Sequence, residues 1–388
     1  GFDADVQARV LHKTLQALPT FLQGFAADGG CSEGPGYWRY GVTFYAHLAY
    51  MLEKATGGAL DLLGHPLVRD VFDYPRKVVL TRPAVANFAD APPRVHLGGG
   101  ALSWAADRLG LDQTVALLSG GASHRYAGVM GMDVQLLARP RPFRAAPEDF
   151  LPELQQLVVR GDGEEGEQFV LAVKGGHNAE HHNHNDVGNF IIHLDGRTLV
   201  ADLGSGEYVR GFFGPRRYEF LATRSGGHSV PRVNGCEQVA GQEYAARGFR
   251  RVQEDGATGV TMDLAGAYPE EAGLAHLERT VVFHREAEQI TLTDSLEFAE
   301  AAGTWELTLY TEGTFEESEP GRVVVRSGPA ALAIEFDPEL LEADLSELEI
   351  TDARLARTYG QRVPVCTLRL GEPARETRID IQFRPIRQ

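Results

Sequence analysis

Residues 187–204 read VGNFIIHLDGRTLVADLG, and this stretch decides how the second half of the chain folds. Two apolar runs flank Asp195 and Gly196, the dipeptide that most strongly favours a two-residue hairpin turn. The stretch therefore predicts a β-hairpin. Because the strands of a hairpin return side by side, we expect His184, before the first strand, to lie close to Asp202 at the end of the second.

Further short runs of Val, Ile, Thr and Phe, separated by Gly, Asp and Glu, continue from this hairpin to the end of the chain. So many short strands without intervening helices indicate antiparallel sheets packed as a sandwich. The acidic stretch 312–349 is expected to form a solvated sheet edge and loops.

Up to about Arg139 the apolar residues recur at helical spacing, in residues 6–25, 41–58, 99–110 and 112–121, the last with Asp112 as N-cap. Short connections predict antiparallel helix pairs. Prolines between residues 138 and 153 mark a linker, since they exclude a continuing helix. With 388 residues the chain is too long for one ordinary core. We expect a multidomain α + β protein with a helical domain over 1–139, a Pro-rich linker over 140–152 and a β-domain over 153–388.

The composition narrows the partners and the location. A formal net charge of −17 repels polyanions at long range, which argues against nucleic acid unless a local basic patch overrides it. No apolar run approaches the ~18 residues of a membrane span. The chain opens without Met and inside a helical pattern, so we expect a piece of a longer protein. It would be periplasmic or secreted if a signal has been removed, and otherwise cytoplasmic. The sequence is also compatible with a homodimer.

Histidine and carboxylate side chains, the types that bind a borderline divalent metal, crowd around the hairpin. We expect His184, Asp202 and His228 to hold one zinc ion with the fourth position open. His184 with Asp186 and His228 also fits the facial triad of a non-haem iron oxygenase. In the alternative without a metal, the histidines are polar loop residues and Asp202 forms a turn before Gly204.

Residues 28–41, DGGCSEGPGYWRYG, present Tyr37, Trp38 and Tyr40 at a helix start. A tyrosine whose phenolate is stabilised by a neighbouring cation can shuttle protons. The alternatives are an aromatic plug between helices and a sugar-stacking platform. Arginines are frequent in residues 209–251, where they form either a solvated rim or an anion-binding cleft.

Three stretches together, residues 28–41, 182–208 (HNHNDVGNFIIHLDGRTLVADLGSGEY) and 216–235 (RRYEFLATRSGGHSVPRVNG), resemble the heparinase II/III-like polysaccharide lyases. The resemblance implies a partial (α/α) toroid followed by an antiparallel β-sandwich. It also implies β-elimination on an acidic polysaccharide that contains uronate. A non-catalytic glycan-binding protein is the alternative, because the Asn-rich motif of an earlier toroid helix is not found and is expected before Gly1.

The resemblance also implies roles for individual residues. Tyr37 would be the catalytic tyrosine, with Tyr40 as its substitute and Tyr208 as a second tyrosine near the metal. His184 would be either the histidine at the elimination centre or a ligand of a zinc held by His184, Asp202 and His228. The residues expected to bind the acidic polysaccharide are Arg216, Arg217, Arg224 and Trp38.

Overall fold

The structure, a computed structural model, describes residues 3–119, 142–163, 168–254 and 256–387. The chain divides into two compact units. The first comprises Gly1–Ser32, Trp38–Arg76 and Leu97–Phe143, and the second comprises Glu33–Tyr37, Lys77–His96 and Arg144–Gln388. The domain boundary predicted at residue 139 lies outside the described residues. The second unit takes up two short segments from the N-terminal half, which the sequence did not indicate.

Six α-helices lie in the described residues: α1 (Ala4–Leu22), α2 (Pro35–Thr56), α3 (Pro66–Lys77), α4 (Gly100–Arg108), α5 (Asp112–Leu118) and α6 (Ala353–Tyr359). Four of them were predicted, and α3 and α6 were not. Asp112 was expected as the N-cap of α5 but is its first helical residue, after Leu111, which provides no side-chain cap. A carboxylate there still favours the helix, because it lies near the positive end of the helix dipole. The partial (α/α) toroid expected of this half stays a prediction.

Short 3-10 turns connect the strands of the second unit: Arg217–Glu219, Leu221–Thr223, Ser225–Gly227, Ala265–Ala267 and Glu270–Ala272. Every strand pair in the described ranges is antiparallel, as the sequence predicted.

The largest sheet has eight strands in the order β11 (Arg247–Glu254), β12 (Ala257–Asp263), β13 (Leu274–His284), β14 (Gln289–Phe298), β21 (Glu376–Pro385), β18 (Ala330–Phe336), β17 (Arg322–Ser327) and β16 (Thr314–Glu319). A five-stranded sheet has the order β3 (Glu148–Leu151), β4 (Gln156–Arg160), β5 (Phe169–Lys174), β7 (Phe190–Leu194) and β8 (Arg197–Val200). A four-stranded sheet has the order β19 (Leu341–Glu349), β20 (Arg362–Leu370), β15 (Trp305–Tyr310) and β9 (Pro231–Val233). Two strand pairs complete the unit, β1 (Val79–Thr81) with β2 (Ala84–Val85) and β6 (His177–Asn178) with β10 (Gly241–Ala245).

One hydrophobic core draws buried residues from the eight-, five- and four-stranded sheets, which is the packing of a sandwich. The five- and four-stranded sheets are joined where the backbone N–H of Ala201 donates to the carbonyl of Tyr310 at 2.9 Å. The acidic stretch contributes β16 and β19, each at the end of its sheet as predicted, but also β17 and β18, which lie inside the eight-stranded sheet and were not expected there.

The hairpin predicted from residues 187–204 forms as β7 and β8. Asp195 and Gly196 both have positive φ, 49° and 75°, the conformation that a type I′ turn requires at both positions. By contrast β3 lies inside the segment expected to be a linker, of which residues 140 and 141 fall outside the described residues. Among the helices that the structure describes, none has the length and apolar character needed to cross a membrane.

Candidate active site

The histidine-rich segment lies in a loop between β6 and β7, so it does not keep the alternation of a strand. His182 has a φ of 55°, in the left-handed region that non-glycine residues adopt rarely. This turn sends the side chains of His182 and His184 into different surroundings. His182 is partly exposed, whereas His184 is fully buried.

Three buried side chains of this unit, His184, Asp186 and His228, form the buried cluster, which is able to hold a metal ion. One ligand atom each from His184, Asp186 and His228 lies within 4.8 Å of the others. Nδ1 of His184, Oδ2 of Asp186 and Nε2 of His228 are also buried without a hydrogen-bond partner. Unpartnered buried polar atoms are costly, and coordination of a cation would satisfy all three. The residues therefore fit a divalent metal.

Each member of the cluster is held by a second residue through its other polar atom. Asp90 Oδ1 lies 3.0 Å from Nε2 of His184, and Asp202 Oδ2 lies 3.0 Å from Nδ1 of His228. Lys174 donates from Nζ to Oδ1 of Asp186 at 2.6 Å. A carboxylate behind an imidazole fixes its tautomer and leaves the other nitrogen with a lone pair for the metal. Burial lowers the pKa of His184, which favours the neutral form that a ligand needs.

Asp202 was expected as the carboxylate ligand, and in the structure Asp186 takes that place in the cluster. The oxygens of Asp202 face donors inside the protein. Oδ2 accepts from Asn189 at 2.5 Å and faces Nδ1 of His228, while Oδ1 accepts from the backbone N–H of Gly204 at 2.5 Å. Asp202 therefore orients His228, and the hairpin brings it to the cluster as the sequence indicated.

A buried arginine of the eight-stranded sheet fixes the two loops that carry the cluster. Arg279 binds Asp294 through two hydrogen bonds of 2.8 and 2.7 Å. Its remaining Nη1 donates to the carbonyls of Gly188 and Ser229, each at 3.0 Å. These two residues follow Asp186 and His228 closely in the chain. The sandwich core thus sets the positions of both loops.

A second cluster, the tyrosine cluster, consists of Tyr37, Tyr208 and His182. The hydroxyls of Tyr37 and Tyr208 are 2.8 Å apart, and the Tyr208 hydroxyl is 3.4 Å from Nδ1 of His182. The ring of Tyr37 lies over that of His182 with centroids 4.2 Å apart. Tyr208 is 40% exposed, so the cluster is open to solvent. The structure brings two of the expected tyrosines together.

Burial raises the pKa of Tyr37, and the nearby charges of Asp90 and Glu33 add to the effect although the hydrogen bond with Tyr208 opposes it. Burial and the hydrogen bond to Tyr37 raise the pKa of Tyr208 far above its ordinary value. Both phenols therefore keep their protons at neutral pH. They are suited to donate a proton rather than to act as standing bases.

Asp90 joins the two clusters. Its Oδ2 lies 2.5 Å from Nδ1 of His182, and its Oδ1 lies 3.0 Å from Nε2 of His184. Arg217 also contacts Oδ2, at 3.4 Å from Nη2. Burial alone would raise the pKa of Asp90, but the two histidine hydrogen bonds and the charge of Arg217 hold it far below its usual value. The carboxylate is thus charged, and His182 presents Nδ1–H to it.

The other expected residues take different places. Trp38 is fully buried, and its indole donates to the carbonyl of Val71 at 2.6 Å, so it cannot contact a substrate as expected. Tyr40 is 49% exposed and packs its ring against Phe44. Arg217, expected to bind substrate, is buried and donates from Nε to the carbonyl of Asn183 at 2.9 Å.

Arg216 and Arg224 lie at the surface and pair with carboxylates of their own segment. Arg216 Nε is 2.7 Å from Glu219, and Arg224 Nη2 is 2.5 Å from Glu237. Their role in substrate binding stays a prediction.

The sequence did not assign Asp90 or His182 a role. His182 belongs to the histidine-rich pattern of residues 181–184, but only the loop conformation shows which of these histidines contacts the tyrosines. Asp90 lies in NFADAPP, far from any other candidate, and this stretch has no pattern that would single it out.

Residues 152–381 match the family described as Heparinase II/III-like, C-terminal. No curated protein matches the chain in sequence. Heparan sulfate lyase HepC from Pedobacter heparinus is similar in structure, with a TM-score of 0.71 and 14% identity over 96% of this chain and 55% of that chain. A heparinase III is similar with a TM-score of 0.68 and 14% identity over 96% of this chain and 56% of that chain. The chain spans little more than half the length of these lyases. At such identity the likeness establishes the fold alone.

Proposed function

The chain belongs to the heparinase II/III-like family, and from this premise we propose that it is a polysaccharide lyase that cleaves a uronate-containing acidic glycan by β-elimination. The observation that carries the proposal is the tyrosine cluster, in which two phenol hydroxyls 2.8 Å apart lie beside the imidazole of His182. It combines proton donors with a base at a surface open to solvent.

β-Elimination needs both functions at one place. A base removes the proton at C5 of the uronate, the C4–O bond breaks with formation of a C4=C5 double bond, and an acid protonates the departing oxygen. Nδ1–H of His182 is held by Asp90, so Nε2 carries the lone pair that accepts the C5 proton. Glu33 Oε2 lies 3.4 Å from Nε2 and stabilises the imidazolium that results. Tyr37, protonated in the resting protein, is the donor to the departing oxygen.

We infer that His184, Asp186 and His228 hold one divalent metal, with zinc as the first choice because two imidazoles and a carboxylate suit it. When bound, such an ion supplies positive charge and fixes the ligands that it binds. In this chain Asp90 contacts both His184 and His182. A fixed position of His184 in the buried cluster therefore fixes Asp90, which in turn orients the imidazole of His182.

A second function is favoured by one observation. The buried cluster has two histidines and one carboxylate, which is also the ligand set of non-haem iron oxygenases. This candidate predicts iron in the purified protein and a reaction that stops without oxygen. Zinc on elemental analysis, together with product formation under anaerobic conditions, would exclude it.

The lyase proposal is tested with a panel of acidic glycans that includes heparan sulfate, alginate and a bacterial exopolysaccharide. The expected result is a rise in ultraviolet absorbance from 4,5-unsaturated uronate ends with one glycan, and mass spectrometry should find products that have gained no water. Products that have gained water would indicate hydrolysis and contradict the proposal. Binding without any product would favour the non-catalytic alternative.

A further inference from the structure

Recognition of an acidic sugar needs a cation at the tyrosine cluster that is not already neutralised. The three arginines expected for this task are each engaged, Arg216 with Glu219, Arg217 with Asp90 and Arg224 with Glu237. Because each guanidinium already donates to a carboxylate of the protein, none of them is the first choice for a substrate carboxylate.

Arg354, in the first turn of α6, is differently placed. Its guanidinium carbon lies 5.5 Å from the centroid of the Tyr208 ring. Its Nη1 makes one long contact of 3.4 Å with the carbonyl of Gly206. Within the described ranges no carboxylate lies at ion-pair distance from this guanidinium. The charge of Arg354 also reaches Tyr37, where it lowers the phenol pKa against the larger effect of burial.

The backbone on both sides of this contact is fixed. Asp352 caps α6 by accepting from the N–H groups of Arg354 and Leu355 through Oδ1, at 2.8 and 2.9 Å. Its other oxygen, Oδ2, accepts from the N–H of Glu207 at 2.8 Å. One carboxylate therefore sets the start of the helix that carries Arg354 and the residue that precedes Tyr208. The hydrogen bonds of Asp352 therefore fix the distance between Arg354 and Tyr208.

The open side of the cluster is marked by Phe213, which is 58% exposed. Its ring meets that of Tyr208 edge to face at 4.8 Å and that of His182 at 5.2 Å. An exposed aromatic ring beside polar groups is the usual wall for the apolar face of a sugar. Tyr208 thus contacts an exposed aromatic ring and a guanidinium that has no carboxylate partner among the described residues.

We propose that Arg354 binds the carboxylate of the uronate that is processed at Tyr37 and Tyr208, and so makes the site selective for uronates over neutral sugars. This inference rests on the proposed function, whose site it shares. The planar guanidinium fork matches a carboxylate with two hydrogen bonds. A positive charge at the carboxylate also stabilises the enolate formed when the C5 proton leaves.

The test compares Arg354→Gln with two matched arginine variants. Arg357→Gln removes an exposed arginine of the same helix, and Arg210→Gln removes an exposed arginine of the loop that carries Tyr208. Binding of heparan sulfate and alginate oligosaccharides is measured by calorimetry, alongside the same oligosaccharides after carboxyl reduction. Heparan sulfate oligosaccharides after desulfation separate carboxylate from sulfate recognition. KM and kcat are measured for any glycan that is cleaved.

We expect Arg354→Gln to weaken binding of the carboxylated oligosaccharide roughly tenfold to a hundredfold and to raise KM similarly, as for loss of a charge-assisted hydrogen bond. The carboxyl-reduced oligosaccharide should bind Arg354→Gln and the unchanged protein equally. Arg354→Lys should recover part of the loss, while Arg357→Gln and Arg210→Gln should change binding less than about twofold.

The outcomes separate the two proposals. Carboxylate-dependent binding that needs Arg354, with no glycan cleaved, supports carboxylate recognition by Arg354 and contradicts the lyase. Cleavage that Arg354→Gln leaves unchanged overturns the inference and leaves the lyase standing. Equal binding of carboxylated and reduced oligosaccharides, or loss of affinity on desulfation alone, also overturns the inference. Failure of the unchanged protein to bind or cleave any of them overturns both.

Discussion

His182 and His184 are two residues apart and lie in opposite surroundings. His184 is buried against Asp90 and faces the other members of the buried cluster, while His182 lies partly exposed over the ring of Tyr37. Both share one carboxylate, since each uses a different oxygen of Asp90. One loop therefore contributes histidines both to a buried cluster fit for a metal and to an open cluster fit for proton transfer, and Asp90 contacts both.

The largest expected effect on metal content and stability comes from a change in the buried cluster. His228→Ala removes one member of the cluster and leaves Asp202 buried without its imidazole partner. We expect loss of bound metal from about one ion per chain to none, and a fall in the free energy of unfolding of about 3–5 kcal/mol. Mass spectrometry measures the metal content, and denaturant unfolding measures the free energy of unfolding. His276→Ala, at a partly exposed histidine of β13, is the control. Unchanged metal content in His228→Ala would refute the ligand set.

On the open side the corresponding change is Tyr37→Phe. It keeps the ring over His182 and removes the hydroxyl that contacts Tyr208, so the fold should persist. We expect lyase activity to fall roughly 10²- to 10⁴-fold, the size of a general-acid contribution, with metal content unchanged. Tyr40→Phe is the matched control on the same helix and separates the two tyrosines proposed from the sequence. Full activity of Tyr37→Phe would remove this residue from the mechanism.

Asp90→Asn tests whether the two sides are coupled. An amide can accept from only one histidine, and Arg217 loses its anion. We expect a loss of stability of about 2 kcal/mol, weaker metal binding and lower activity together. Glu33→Gln is the comparison, because in the described part of the chain Glu33 contacts His182 and neither His184 nor another member of the buried cluster. It should lower activity and leave metal binding intact. Two results would contradict the assignment of Asp90 as the bridge: weaker metal binding in Glu33→Gln, or metal binding in Asp90→Asn that is as strong as in the unchanged protein.

The sequence predicted the parts of this arrangement that depend on local pattern. Asp195 and Gly196 identify the hairpin because the dipeptide alone favours positive φ at both positions, and the hairpin then carries Asp202 to His228. The antiparallel sandwich followed from many short apolar runs. These features need only neighbouring residues to be recognised.

What the sequence could not provide depends on contacts between distant segments. The positive φ of His182 cannot be read from HHNHND, so the histidine that meets Tyr37 was not distinguished from the one that is buried. Asp90 lies more than 90 residues before both histidines, and no local pattern links them. Trp38 next to Tyr37 was expected at a binding surface, but helical geometry turns consecutive side chains about 100° apart and buries it.

The smallest effect concerns a buried histidine outside both clusters. His193 lies on β7 between hydroxyls, with Thr81 Oγ1 at 2.7 Å from Nε2 and Thr198 Oγ1 at 3.1 Å from Nδ1. Burial, helped by the positive charges of Arg94 and Arg197, lowers its pKa from 6.5 to about 3. In the described residues both ring nitrogens of His193 face hydroxyls, and its ring stays neutral. Its partners differ in this from those of His184 and His228, whose rings face the carboxylates of Asp90 and Asp202.

Because the folded-state pKa of His193 lies below that of the unfolded chain, the stability that its neutral form contributes is complete above about pH 6.5. It declines as the pH falls from there towards about 3, by up to about 1.4 kcal/mol per pH unit. His193→Gln, which can still hydrogen bond to both hydroxyls, should flatten the pH dependence of the free energy of unfolding in this window. Urea unfolding across the window, with exposed His12→Gln as control, measures the slopes. Equal slopes for His193→Gln and the unchanged protein would show that His193 does not take up this proton on unfolding.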